Sequence, residues 1–283
     1  MSRITDVFTR TENCALIAYL TVGYPDIETT LKMVPLLAGS GCDIVELGIP
    51  FSDPLADGPT IQRASFQALR KGTTPELCLE AARKLSAQVD IPLVFMTYFN
   101  PVHKYGLDAF CRDCAQAGVS GLIVPDLPPE EGAELEEVSV KRDIDLIYLL
   151  APTSTDGRID LVAARSRGFI YLVSVTGVTG ARDGLPDDLE GFVARVRRRA
   201  SLPLCVGFGI SSAAAARRVS AVADGVIVGS RLIQLLETND PASEVQSFIR
   251  SLKDAVSNRD EDCTASRCKE GGFLCDGPLW RKP

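Results

Sequence analysis

The chain has 283 residues, 46% of them hydrophobic and 24% charged, close to the globular average, which excludes a disulfide-stapled miniature, a disordered chain and a fibrous one. Thirty basic against 37 acidic side chains leave a net charge of −7, and no basic cluster beyond Arg195–Arg199 offsets it, so nucleic acid is not an expected partner. A single histidine, His103, rules out any His-based triad or multi-histidine metal site and leaves acid–base work to carboxylates, Lys, Tyr or Cys.

The first residues, MSRITDVFTRTEN, are polar and lack the apolar core of a signal peptide. No apolar run approaches the roughly 20 residues needed to span a bilayer, so a cytoplasmic protein is expected. From there, short Val/Ile/Leu-rich runs alternate with stretches of helical period. Strands are predicted at 15–22, 43–49, 92–98, 121–125, 145–150, 169–175, 203–208 and 225–229. Helices fit between them at 26–39, 60–70 with 75–88, 107–117, 129–141, 156–166, 187–199, 211–221 and 241–256. Thr74 before Pro75 and Asp156 ahead of 157–166 read as helix starts.

Eight strands, each followed by a helix, predict an α/β fold: a single-domain (β/α)8 TIM barrel over residues 1–257, near the usual size of about 250 residues. An open doubly wound sheet fits less well, because the first turn, TVGYPD, lacks the GxGxxG of a dinucleotide site. Residues 258–283 lose all periodicity and are expected to form a disordered tail. Its Cys263, Cys268 and Cys275 lack the paired spacing of a zinc site. Cys14, Cys42, Cys78, Cys111, Cys114 and Cys205 lie in apolar or helical stretches and read as buried thiols, the CxxC at 111–114 included. The run ARVRRRA reads as a solvated helix face, and His103 as an incidental loop residue.

In such a barrel the chemistry sits at the C-terminal ends of the strands. In DIVELGIPFSDPLADG, Glu46 interrupts an apolar strand, and alternation puts it with Ile44 on the face opposite Val45 and Leu47. A carboxylate buried there costs several kcal/mol unless it is bonded or kept for function. Asp53 and Asp57 follow on the loop. Glycines after the last three strands, in TGVTGARDG, GFGIS and GSR, form a candidate phosphate cradle, with Ser211 and Ser230 opening helices. The loop 176–188 beside it has the composition of a lid.

The segments LTVGYPD, VELGIPFSDPLADGPTIQRAS, FMTYFNPV, GLIVPDLPPEE, YLVSVTGVTGAR and GFGIS occur in the order found in the tryptophan synthase alpha subunit family, and the chain resembles that family over about residues 1–257. The resemblance implies a lyase of tryptophan biosynthesis that cleaves indole-3-glycerol phosphate to indole and glyceraldehyde 3-phosphate by retro-aldol chemistry, with neither metal nor organic cofactor in this chain. It implies Glu46 as acid–base at indole C3 and the side-chain hydroxyl, its pKa raised by apolar surroundings, and Asp57, wetter and ionised, as the partner of the indole N–H. Phosphate contacts fall to Gly180, Gly209, Gly229 and Ser230, and indole contacts to Tyr19 and Phe208. Tyr171 would line the site and Thr179 sit on the closing loop. Tyr19 stands where better-known members carry Phe, so its hydroxyl needs a partner or water. The family further implies a pyridoxal phosphate-bearing beta subunit in an alpha2beta2 heterotetramer, facing Asp53, Pro54, Asn100 and Pro101. A stand-alone lyase without the beta partner, or a non-catalytic phosphate-binding regulatory subunit, are the alternatives at this stage.

Overall fold

The computed structural model describes residues 2–11, 13–173, 188–207 and 209–257. Its strands are β1 (Ala15–Thr21), β2 (Ile44–Gly48), β3 (Leu93–Met96), β4 (Val119–Ile123), β5 (Asp145–Ile147), β6 (Leu149–Leu150), β7 (Ile170–Val173), β8 (Leu204–Gly207) and β9 (Gly225–Val228). They form one parallel sheet in the order β5-β4-β3-β2-β1-β9-β8-β7-β6. The two outer strands, β5 and β6, are the halves of the predicted strand 145–150. They part only at Tyr148, whose N–H turns to the Ser166 hydroxyl (3.0 Å) while its carbonyl accepts from Tyr171 N–H (3.0 Å). The sheet thus closes on itself through one continuous segment, as a (β/α)8 barrel does.

Period-two alternation sorts each strand into two cores. Leu16, Ala18 and Leu20 of β1 and Val45 and Leu47 of β2 pack outward into the cluster shared with the helices. Ala15, Ile17 and Tyr19, with Ile44, Val94, Ile123, Ile147, Tyr171, Cys205 and Ile227, fill the barrel interior. Each fully buried Leu or Ile contributes about 1.5–3 kcal/mol, so these two layers fix the register of every strand. Pairing of β3 with β4 shifts by one residue between Leu93↔Val119 and Val94↔Gly121, which leaves Ser120 as a bulge. β4 accordingly begins two residues before its predicted start.

The predicted helices are present at Ile27–Gly39, Pro59–Arg70, Pro75–Ser86, Leu107–Gln116, Ala133–Lys141, Asp156–Arg165, Leu189–Arg197, Ala213–Ser220 and Pro241–Ser257. Thr74 caps its helix as expected, but at 156–165 the cap is Thr155, which accepts from Arg158 N–H at 3.3 Å, and Asp156 lies inside the first turn. Three further helices, Arg3–Arg10, Phe99–Tyr105 and Ser230–Leu235, are too short to show a period in the sequence. The first closes the N-terminal end of the barrel: Ser2 caps it, Ile4 and Phe8 enter the interior core, and Phe8 meets Phe169 edge-on with centroids 6.0 Å apart. Functional chemistry is therefore confined to the opposite end.

All six cysteines outside the tail are buried and unbridged. The ARVRRRA run is more than a solvated face: Arg197 pairs with Asp224, whose carboxylate also accepts Leu204 N–H at 2.8 Å, and Arg199 bridges Asp156 and Asp160. His103 is exposed on the helix Phe99–Tyr105, away from the barrel interior. Among the described residues no helix is long and apolar enough to cross a membrane. The tail 258–283 and all of the expected lid 176–188 except its last residue lie outside the described residues.

Candidate active site

Strand β2, IVELG, carries Glu46 into the barrel because its neighbours Val45 and Leu47 must face the helices. Glu46 is 0% exposed, and among the described residues neither Oε1 nor Oε2 has a hydrogen-bond partner. Burial alone pushes its carboxyl up to about 8. A bare buried carboxyl of this kind is costly and has no structural bond to justify it.

Asp57 lies on the loop between β2 and the helix Pro59–Arg70. The loop is folded by bonds from Leu55 N–H to Asp53 O (2.9 Å) and from Asp57 N–H to Pro54 O (3.1 Å), and Gln62 Nε2 donates to Asp57 O at 2.9 Å. The resemblance implies an ionised Asp57 on a loop wetter than the surroundings of Glu46. The structure instead leaves it 5% exposed, and burial raises its carboxyl to about 7, with a hydrogen bond from Tyr98 opposing the rise. Burial thus displaces both acids upward, Glu46 to about 8 and Asp57 to about 7.

Tyr19 and Tyr171 project into the same interior from β1 and β7. Burial raises both phenols, and each also feels the charges of Glu46 and Asp57, which puts both carboxyls within reach of the same two rings. The Tyr19 hydroxyl finds the partner it needs in Thr21 Oγ1, 3.2 Å away. Both rings are accommodated by glycines at strand ends. A Cβ on Gly48 would stand 2.1 Å from Tyr19 Oη, and one on Gly207 would stand 2.2 Å from Tyr171 Oη. Gly48→Ala is therefore expected to cost about 1–3 kcal/mol of stability and to lower activity together with it, read as a reduced melting temperature and a slower turnover. An unchanged melting temperature would show that Tyr19 moves freely.

Gly209, at the C-terminal side of β8, has a left-handed φ of 79° and is exposed, and among the described residues nothing beyond its chain neighbours lies within 4 Å of where a Cβ would stand. Gly229 and Ser230, at the start of the helix Ser230–Leu235, are half-buried. Thr179, Gly180 and Phe208 lie outside the described residues. Asp53 and Pro54 line a groove of about 440 Å³ with Phe51, Leu55, Arg63 and Phe66, in which Leu55 is 87% and Phe66 60% exposed. Asn100, exposed, and Pro101, half-buried, sit on the helix Phe99–Tyr105 and do not line it. Among the described residues no cluster of three or more His, Cys, Asp or Glu is placed to hold a metal ion.

The sequence reading missed Tyr98. It was absorbed into the end of strand 3, although a tyrosine at the C-terminal end of a barrel strand is itself a signal of a polar group presented to the site.

Residues 7–259 match the family model described as tryptophan synthase alpha chain. The chain is 58% identical over 256 residues to the tryptophan synthase alpha chain of Dehalococcoides mccartyi, covering 90% of this chain and all of that one. It is 46% identical over 264 residues to that of Geobacter sulfurreducens, with 91% and 100% covered. Among solved structures, tryptophan synthase from Mycobacterium tuberculosis superposes with a TM-score of 0.85 at 41% identity, over 91% of this chain and 99% of the other. The chain belongs to the tryptophan synthase alpha chain family. As a tryptophan synthase alpha chain it is a carbon–carbon lyase, and the reaction of the family is cleavage of indole-3-glycerol phosphate.

Proposed function

We propose that Glu46 and Asp57 divide the acid–base work of this cleavage between them. The observation that carries the reading is Glu46, a carboxyl enclosed in the barrel without a bond among the described residues, with a second buried carboxyl, Asp57, acting on the same two tyrosines. Raised to about 8, Glu46 is a neutral acid at pH 7 and can give its proton to indole C3. Protonation makes C3 tetrahedral and leaves positive charge on the ring nitrogen, where an ionised Asp57 accepts the N–H and stabilises it. Glu46, now a carboxylate, takes the proton of the adjacent side-chain hydroxyl. The C3–carbon bond breaks, its electron pair returns to the ring to neutralise the nitrogen, and the hydroxyl carbon becomes the aldehyde of glyceraldehyde 3-phosphate. Glu46 ends protonated, as it began. The scheme calls for neither a metal nor an organic cofactor.

The phosphate is assigned to Gly180, Gly209, Gly229 and Ser230, supported by the open space at Gly209 and by the free amides that open any helix. The indole ring is assigned to Tyr19, Tyr171 and Phe208, with Thr179 on the loop that covers it. Residues 1–257 are taken as the catalytic unit and 258–283 as an appendage outside it. A tryptophan synthase beta subunit, carrying its own pyridoxal phosphate in an alpha2beta2 assembly, is the proposed occupant of the surface at Asp53, Pro54, Asn100 and Pro101. The exposure of Leu55 and Phe66 on the same groove supports an apolar docking face there. The test is release of indole from indole-3-glycerol phosphate by the full chain, alone and with a beta subunit. No indole under either condition would overturn the reading.

The two raised carboxyls also set a pH dependence. Activity needs Asp57 ionised, above about 7, and Glu46 protonated, below about 8. The profile of kcat/KM is expected to be a bell with its maximum between those values, measured as initial rates of indole release. A maximum well into the acid range would assign the acid and base incorrectly.

A further inference from the structure

We infer that Tyr98 is a positioning residue, whose hydroxyl, held by the Ala56 amide, fixes the Asp57 carboxylate and the loop that carries it. This rests on the role assigned to Asp57 above and deepens it. Ala56 N–H donates to Tyr98 Oη at 3.0 Å. A phenol has one proton to give, and with an acceptor site so filled, that proton goes to the Asp57 carboxylate, its side-chain partner. One oxygen thereby ties together two consecutive residues of the loop.

The strut is rigid at its own end. Tyr98 lies two residues beyond the end of β3, where Ile49 N–H bonds Met96 O (2.9 Å), Thr97 N–H bonds Ile123 O (3.0 Å) and Phe99 N–H bonds Asp126 Oδ1 (2.8 Å). Its ring stacks on Phe51 with centroids 5.2 Å apart and planes at 30°. Asp57, by contrast, has only loop bonds and Gln62 to hold its backbone. A carboxylate that must meet an indole nitrogen within a few tenths of an ångström needs such a support from a strand end. Burial and Tyr98 are what displace the Asp57 carboxyl; its charge in turn acts on Tyr19 from β1 and Tyr171 from β7, as does that of Glu46 of β2, and Asp126 acts on Tyr98. Of these Tyr98 is the hydrogen-bond donor, and it holds the Asp57 carboxyl down against burial.

The experiment measures indole release against pH for the wild-type chain, Tyr98→Phe, Asp57→Asn and the double variant, with melting temperatures for each. Tyr98→Phe keeps the ring on Phe51. It is expected to lower kcat/KM by roughly ten- to a hundredfold, to move the acidic limb to higher pH because the ionised form of Asp57 loses a donor, and to add no loss on top of Asp57→Asn. Should the Phe variant fold poorly, 3-fluorotyrosine at position 98 retains shape and hydroxyl and donates more strongly, so the limb should move to lower pH. Equal effects of Tyr98→Phe in both backgrounds, or a limb that stays in place, would reduce Tyr98 to packing and overturn the inference while leaving the lyase reading intact. An Asp57→Asn chain as fast as wild type would instead remove the site assignment itself, and this inference with it.

Discussion

Glu46→Gln is expected to lower the rate of indole release by roughly two to four orders of magnitude, and Asp57→Asn by a similar factor, with the barrel folded in both. The amide of Gln at position 46 has the shape of the carboxyl and can still donate a hydrogen bond, but it neither releases a proton to C3 nor takes one from the hydroxyl, so both halves of the cycle fail together. Asn at 57 can accept from the ring N–H but brings no charge against the cation that forms there, and in a site this dry the lost charge counts heavily. Because Glu46 performs two steps in series, the double variant should be little slower than the slower single one. Rates in either single variant within threefold of wild type would end the assignment. Steady-state indole release with circular dichroism as the folding control decides it.

How far the sequence foretold the site follows from which residues are governed by local pattern. Glu46 was legible because a strand has only two faces: with Val45 and Leu47 committed to the helices, the carboxyl had to enter the barrel. The eight-strand rhythm was legible for the same reason, since strands buried on both sides read as apolar runs. The surroundings of Asp57 were not legible, because its loop is held by Tyr98, some forty positions away, and by Gln62 on the following helix. The bulge at Ser120 and the break at Tyr148 escaped for a similar reason, each depending on a partner strand or on the Ser166 hydroxyl rather than on its own neighbours. The barrel floor, Ile4 and Phe8 of an eight-residue helix, is amphipathic over too few turns to declare itself, yet it settles which end of the barrel is open.

The same Glu46→Gln substitution is expected to stabilise the fold, and to do so more as pH rises. In the unfolded chain the Glu46 carboxyl titrates near its ordinary value of 4.5, whereas burial in the barrel raises it to about 8. Below 4.5 both states hold the proton and the group is neutral in each. Between 4.5 and 8 only the unfolded state ionises, so wild-type stability falls by about 1.4 kcal/mol per pH unit over that window and levels off above it, a total of about 5 kcal/mol. Gln has no such slope. The Asp57 carboxyl contributes its own decline of the same sign, but it is present in both proteins and cancels. Glu46→Gln should therefore melt close to wild type at about pH 4 and, in a chain this size, on the order of 10 °C above it at pH 8. Equal melting temperatures at both values would mean that the carboxylate reaches water or a partner inside the barrel. A carboxyl kept for structure would lose stability when replaced. One that slows turnover by orders of magnitude yet raises the melting temperature is held in the barrel at the expense of the fold, which is the relation expected of a group retained for its proton.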